Sequence, residues 1–216
     1  MALTAVLGGA SPAAATDRGP EVVAALRETL RVSIERGLAG IGRPDGFLAN
    51  PAIRLELPEQ LGKAESMLRV AGHDRLVDRF ADSLNRVAEH AVSAARPVLL
   101  AGAAEVPLED GHRIVTGGET AATEALRRHV TGRLIAALNP AVADAMDYVG
   151  ATRRYKRFMK DAQFGGLMQP PSLDLEAYVV GRSVDALFQA IGQEERRIRL
   201  DPAARTTPLL RRLFGR

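Results

Sequence analysis

Hydrophobic residues recur along this chain every three or four positions, the spacing of an α-helix that buries one stripe. Val23, Leu26, Leu30 and Ile34 form the first run, entered at Pro20, which suits a first helical turn, and closed by Gly37 and Gly40. Pro58 opens a second run with Leu61, Met67, Leu68 and Val70, and Gly72 is placed to end it. From His73 a longer stripe carries Val77, Phe80, Leu84, Val87, Ala88, Ala91 and Ala95. Pro97 is expected to kink or break it, with Val98–Ala104 as a second segment. A short helical turn over Leu108–Val115 precedes Thr116-Gly117-Gly118, read as a left-handed stop-and-turn. Ala122, Leu126, Val130, Leu134 and Leu138 then follow, and Asn139-Pro140 reads as cap and first residue of a separate helix to Val149. Thr152 is expected to cap a helix with Tyr155, Phe158 and Met159. Beyond a hinge-like Gln169-Pro170-Pro171-Ser172, Ser172 or Asp174 caps a last long helix with Val180, Val184, Leu187, Phe188, Ile191 and Ile198 facing inward. On that helix Glu195–Arg199 and Glu194–Arg197 are spaced as surface pairs. Asp201-Pro202 and Thr207-Pro208 each read as a cap followed by Pro, the second starting a short terminal helix.

One segment breaks this rhythm. Within the loop-rich stretch 42–58, Ile53-Arg54-Leu55-Glu56-Leu57 alternates with period two. A lone strand has no partner for its backbone, so residues 51–57 are read as an extended strap with Ile53, Leu55 and Leu57 pressed onto helices. The alternative is an exposed edge that pairs with another chain. The pattern as a whole predicts an all-α protein, an irregular multi-helix bundle or array of about seven to nine helices, in a single domain over residues 20–216. Strands do not alternate with helices, which argues against a doubly wound nucleotide-binding sheet.

Residues 1–19 are set apart. Ala2–Ala10 is a short apolar stretch and Ala13-Ala14-Ala15 fits a small-residue secretory cleavage site, although the basic start of such a signal is missing. The segment reads as the remnant of a signal peptide or as a disordered leader. A periplasmic, soluble location is expected in the first case and a cytoplasmic one in the second.

The 216 residues contain no Cys and no Trp, so disulfides, a thiol nucleophile, a cysteinyl zinc site and an iron–sulfur cluster are excluded for them. No apolar run approaches the roughly 20 residues of a membrane-spanning helix. The net charge is +3, unevenly spread: residues 151–216 hold 13 Lys/Arg against 7 Asp/Glu, and residues 1–150 hold 16 against 19. Arg153, Arg154, Lys156, Arg157 and Lys160 form a candidate anion-binding patch, set against the plainer reading of a solvated face. With only nine aromatics, a base-stacking single-strand binder is not expected.

Catalytic chemistry is hard to find. His73, His90, His112 and His129 have no metal-ligand spacing. Asp74, Asp78 and Asp82 stack on one helix face, where Arg75, Arg79 and Arg86 are placed to neutralise them. Ser83, Ser93 and Ser183 lie inside helices without an elbow motif. Gly117-Gly118 before a helix could cradle an anion, but no Lys-Ser/Thr follows and Glu119 opposes one. No catalytic residue, metal site or cofactor is assigned.

Several spaced segments resemble a bacterial family known as domain of unknown function 4197. They are Asp45-Gly46-Phe47-Leu48-Ala49-Asn50-Pro51-Ala52-Ile53-Arg54-Leu55, Ser83-Leu84-Asn85-Arg86-Val87-Ala88-Glu89, Thr116-Gly117-Gly118-Glu119-Thr120-Ala121-Ala122-Thr123 and Ala186-Leu187-Phe188. The last runs from Glu194-Glu195-Arg196-Arg197-Ile198-Arg199 through Pro202-Ala203-Ala204-Arg205-Thr206-Thr207 to Phe214-Gly215. The resemblance spans about residues 20–216. Glu124-Ala125-Leu126 stands where the family usually shows aromatics, and Tyr155-Lys156 where it shows Tyr-Asn. It implies a predominantly helical protein of Gram-negative bacteria, usually made with an export signal, and it supplies no activity, catalytic residue or cofactor.

Three functional expectations follow. The first is an exported, non-catalytic protein of the periplasm or cell envelope that binds a protein partner or an apolar or lipid ligand. The second is a hydrolase-type enzyme with a carboxylate/Arg site, for which Asn85, Glu89 and Arg205 would converge. The third is a binder of anionic surfaces, lipid headgroup or nucleic acid, through the basic C-terminal half. Arg54, Asn85, Glu89, Arg205 and Thr206 are the candidate ligand site or buried polar network.

Overall fold

The computed structural model describes residues 19–107, 111–163 and 172–215. The leader, the start of the expected Leu108–Val115 turn and the Gln169-Pro170-Pro171 hinge lie outside the described residues. Among those described there are eight α-helices and no strand: α1 (Gly19–Ile41), α2 (Gly62–Val70), α3 (Asp74–Glu105), α4 (Gly111–Thr116), α5 (Ala121–Val149), α6 (Ala151–Ala162), α7 (Leu175–Leu200) and α8 (Pro208–Phe214).

The four long helices close into a ring in which each neighbour runs antiparallel to the next. Residues brought together show the direction. Glu35 and Gly42 of the α1 region meet Arg96 and Val92 of α3. Gly102 and Glu105 of α3 meet Val130 and Arg133 of α5, while His90 meets Tyr148. Thr123 and Arg127 of α5 meet Glu195 and Asp185 of α7, and Gly37 of α1 lies against Ala190. The sequence-predicted array is therefore an antiparallel four-helix bundle in chain order α1-α3-α5-α7. Its interior holds Leu30, Ile34, Phe80, Leu84, Leu99, Leu126, Leu134 and Leu187, all fully buried or nearly so. The short helices finish the two ends. α2 and α6 pack beside α3 at the end where α3 and α7 begin, and α4 and α8 pack against α1 at the other.

Two helix breaks expected from the sequence do not occur. α3 runs unbroken through Pro97, and α5 runs through Pro140, so Asn139 caps nothing. Both prolines are exposed. Each removes one N–H and frees one carbonyl on the solvent side, where water can satisfy it. The buried stripes continue on the opposite side, through Ala95 and Leu99 on α3 and through Leu138 and Val142 on α5. Packing thus holds each axis across its proline.

Other boundaries move as well. α1 passes through Gly37 and Gly40 to Ile41, because Gly37 sits where α1 crosses α7: a Cβ there would lie 3.2 Å from the Ala190 backbone. Gly117 and Gly118 are not left-handed; among the described glycines only Gly72 and Gly150 have positive φ. Gly150, at φ 73°, is the joint between α5 and α6, so Thr152 is not a cap. Pro58 leads first into a 3-10 turn, Glu59–Leu61, and only then into α2. The C-terminal caps stand as expected: Asp174 accepts from Ala177 N, Asp201 from Ala203 N and Thr207 from Leu210 N. Ser172 is not the cap of α7.

Among the described glycines of the four long helices the tightest fit is at Gly102, where a Cβ would lie 2.1 Å from Cγ1 of Val130. Gly102→Ala should therefore overpack the α3–α5 seam by about 1–3 kcal/mol, offset by the roughly 1 kcal/mol better helix propensity of Ala. In a Val130→Ala background the same change should be neutral or stabilising by urea unfolding. An equal loss in both backgrounds would show that the seam is not the cause.

Candidate functional site

Polar chemistry inside this bundle gathers at its two ends. At the first, residues 42–58 leave α1 and cross the face of α3. The turn that starts them is tight: a Cβ on Gly46 would sit 2.4 Å from the Ile41 carbonyl oxygen, so no side chain fits. Asp45 adopts φ 60°, a conformation that Asp tolerates better than most residues. The strap then lies down with Phe47, Ile53 and Leu55 buried.

Its backbone is answered by side chains. Fully buried Asn85 accepts from Leu55 N at 2.8 Å through Oδ1 and donates to Leu55 O at 2.8 Å through Nδ2. One amide thus does for Leu55 what a neighbouring strand would do. One turn along α3, the Glu89 carboxylate accepts from Phe47 N at 3.1 Å. Tyr178, in the first turns of α7, donates its hydroxyl to Glu56 O at 2.7 Å. Burial raises the Tyr178 phenol above its usual value, against the opposing pull of Arg182. Arg54 stays on the outside, 3.8 Å from Asp82.

At the other end the buried group is Glu195. Its side chain has no exposed surface, and it lies at the N-terminus of α5. It accepts from Ala122 N at 3.1 Å, from Thr123 N at 2.7 Å, from Thr123 Oγ1 at 2.6 Å and from Arg199 Nε at 2.9 Å. Arg199 in turn donates to the carbonyls of Val115 and Ile114, which end α4, at 2.9 and 3.0 Å. Its guanidinium also lies over the Phe214 ring of α8, 5.2 Å from the centroid. The amides that hold this carboxylate are those of Ala122 and Thr123 in the first turn of α5, not those of Gly117-Gly118, and the chain's own acid fills that N-terminal anion site. The expected surface pair Glu195–Arg199 is instead a buried junction of α4, α5, α7 and α8. The register of Glu195 with Ile191 and Ile198 already places it on the inward stripe, and that is the signal in the sequence that would have found it.

Arg205 closes the same end. It donates to Ile198 O at 3.1 Å and to Arg199 O at 2.8 Å, satisfying carbonyls at the C-terminus of α7. Thr206 accepts from Arg36 at 3.2 Å, and Arg36 also reaches Ala204 O at 3.1 Å. The five residues named as one candidate site therefore divide. Asn85, Glu89 and Arg54 belong to the strap end, Arg205 and Thr206 to the end of α7, and no contact joins the two sets among the described residues.

The acidic ladder lies at the surface, Asp74 and Asp78 exposed and Asp82 partly so, with partners other than those expected. Arg69 of α2 lies 3.3 Å from Asp74 and 3.0 Å from Asp78, and Arg86 goes to Asp45 at 3.3 Å. His90 is exposed and meets the Tyr148 ring edge-on, and His129 lies 4.0 Å from Glu105. Among the described residues no three His, Asp or Glu side chains converge as a metal site would require.

The five basic residues of α6 are all exposed. They are not equivalent. Arg154 donates to the Val149 carbonyl, and Arg153 folds over Gly150, so both lie near the negative end of the α5 dipole. Arg157 is 3.9 Å from Asp161. Lys156 and Lys160 form no ion pair among the described residues. An open cleft of about 360 Å³ separates α2 from α6, lined by Met67, Leu68, Ala71, His73, Asp161 and Ala162.

A family model described as Protein of unknown function (DUF4197) matches residues 18–215. No curated protein and no solved structure matches the chain.

Two outcomes test the end clamps. Glu195→Leu should lose about 3–5 kcal/mol, because Arg199 is left as a buried unpaired charge. The double variant Glu195→Leu/Arg199→Leu should stay well below wild type, since the Ala122 and Thr123 N–H groups and the Ile114 and Val115 carbonyls lose their partners. Full recovery in urea unfolding would reduce the network to a simple ion pair. At the strap, Tyr178→Phe should lose about 1 kcal/mol at neutral pH. The folded-state pKa of Tyr178 is raised, so the wild-type advantage is complete below the ordinary value of 10.0 and is lost as pH rises through the folded value. An advantage that grows above pH 10 would contradict this assignment.

Proposed function

For this chain, which belongs to the DUF4197 family of proteins of unknown function, we propose an exported, non-catalytic protein of the bacterial periplasm or cell envelope that acts by binding a protein partner or a lipid. One observation carries the reading. The buried or part-buried side chains Asn85, Glu89, Glu195, Arg199 and Arg205 are all engaged by backbone groups of the chain itself. These five side chains fix helix ends and a strap, and the cations left open to a partner lie on the surface.

The small-residue pattern at Ala13-Ala14-Ala15 supports export. No helix among the described residues is long and apolar enough to cross a membrane. The hydrolase alternative needs Asn85, Glu89 and Arg205 around one substrate, and they lie at opposite ends of the bundle.

The protein expressed in a Gram-negative cell from its native start should be recovered from the periplasmic or envelope fraction with an N-terminus just beyond Ala15. Recovery from the cytosol with Met1 intact would overturn export. Crosslinking in cells should trap a protein, or organic extraction of the purified chain should release a lipid. If neither is found, the binding reading fails.

A further inference from the structure

We propose that the outward stripe of α6, formed by Arg153, Lys156, Arg157 and Lys160, docks on an anionic phospholipid surface. This deepens the binding reading above and rests on it.

At 3.6 residues per turn, these positions are spaced i, i+3, i+4 and i+7, and share one face. The opposite face is buried: Ala151, Phe158, Met159 and Ala162 point inward. Tyr155 and Phe158 pack on the Phe80 ring, with centroids 5.7 and 5.1 Å away. The helix cannot turn its cations inward without losing this packing.

The charge on the stripe is left over. Elsewhere some arginines are closely paired, Arg31 with Glu28 and Glu35, Arg127 with Asp185, Arg133 with Glu105 and Arg196 with Glu119, and others, Arg75, Arg79 and Arg128 among them, form no ion pair among the described residues; α6 sets three such cations on one face. On α6 the lone acid is Asp161, 3.9 Å from Arg157 and turned toward the α2 cleft. Arg153, Lys156 and Lys160 form no ion pair among the described residues. The sequence that follows, residues 164–171, contains no charged residue that could supply one.

The chemistry of the surroundings favours a lipid surface over nucleic acid. α2 packs beside α6 and carries Val70 at 92% exposure and Met67 at 39%. Exposed aliphatic side chains on a helix that packs against the basic one suit the boundary between headgroups and acyl chains. The aromatics of α6 point into the bundle, so the stripe offers no ring for base stacking. Four cations on one exposed helix face match an anionic surface.

The test is co-sedimentation of the purified chain with vesicles, phosphatidylglycerol-rich against pure phosphatidylcholine. Binding should be confined to the anionic vesicles and should fall as salt rises from about 0.1 to 1 M, where the screening length shrinks from roughly 10 to 3 Å. Removing one cation near such a surface costs about fivefold in affinity, so Lys156→Gln/Lys160→Gln should bind about 25-fold more weakly on the same rule. Both side chains are exposed, and the variant should unfold at the wild-type temperature. Arg196→Gln/Arg212→Gln removes the same charge away from α6 and should bind nearly as well as wild type. An equal loss in that control would show that net charge alone acts, and overturns the proposal. Tighter binding to an oligonucleotide through the same lysines overturns it in favour of nucleic acid. No vesicle binding by a protein that still fractionates with the envelope overturns the lipid surface and leaves the binding reading intact.

Discussion

A carboxylate with no exposed surface must be satisfied by the protein around it, and Glu195 is held by two backbone amides, a hydroxyl and a guanidinium. The amides belong to the first turn of α5, where N–H groups have no partner within their own helix. The guanidinium extends the bond to the last carbonyls of α4, which are unpaired for the same reason. One ion pair on α7 thus completes two helix ends and fixes the turn between them. The negative charge at an N-terminus and the positive charge at a C-terminus both agree with the helix dipoles. Replacing this pair with apolar groups would leave four backbone groups without partners, so the usual argument that buried ion pairs are dispensable does not apply here.

The strap end obeys the same rule with different residues. An extended segment against helices has no ladder to join, and its N–H and C=O groups would be costly to bury alone. Asn85 offers a donor and an acceptor at the spacing of a peptide unit, and Leu55 uses both. Glu89 and Tyr178 secure Phe47 and Glu56 on either side. Two carboxylates, an amide and two arginines, residue types that also serve catalysis, each hold backbone of the chain here. The exposed basic face of α6 is the contrast: Lys156 and Lys160 form no ion pair among the described residues.

Much of the secondary structure was legible because its causes are local. The apolar stripes gave the helices, and Asp174, Asp201 and Thr207 cap within two or three residues of themselves. The strap was legible too, as the lone run of period two. The breaks expected at Pro97 and Pro140 do not occur, because a local penalty of one lost bond is outweighed by a buried stripe that continues on the far side. Thr152 caps nothing for the opposite reason: Gly150 takes the left-handed joint between α5 and α6.

The amino-acid sequence alone determined that this protein is helical, where most of its helices face, and which short-range caps end them, because those choices are made within a turn or two of backbone. Tertiary structure decided which helices are neighbours and what each buried polar group is for. Asn85 meets Leu55 across 30 residues, and Glu195 meets Thr123 across 72. Spacing within one helix puts Glu195 beside Arg199 either on a surface or in a core. Only the arrival of the unpaired amides of α5 at that point makes the pair a junction.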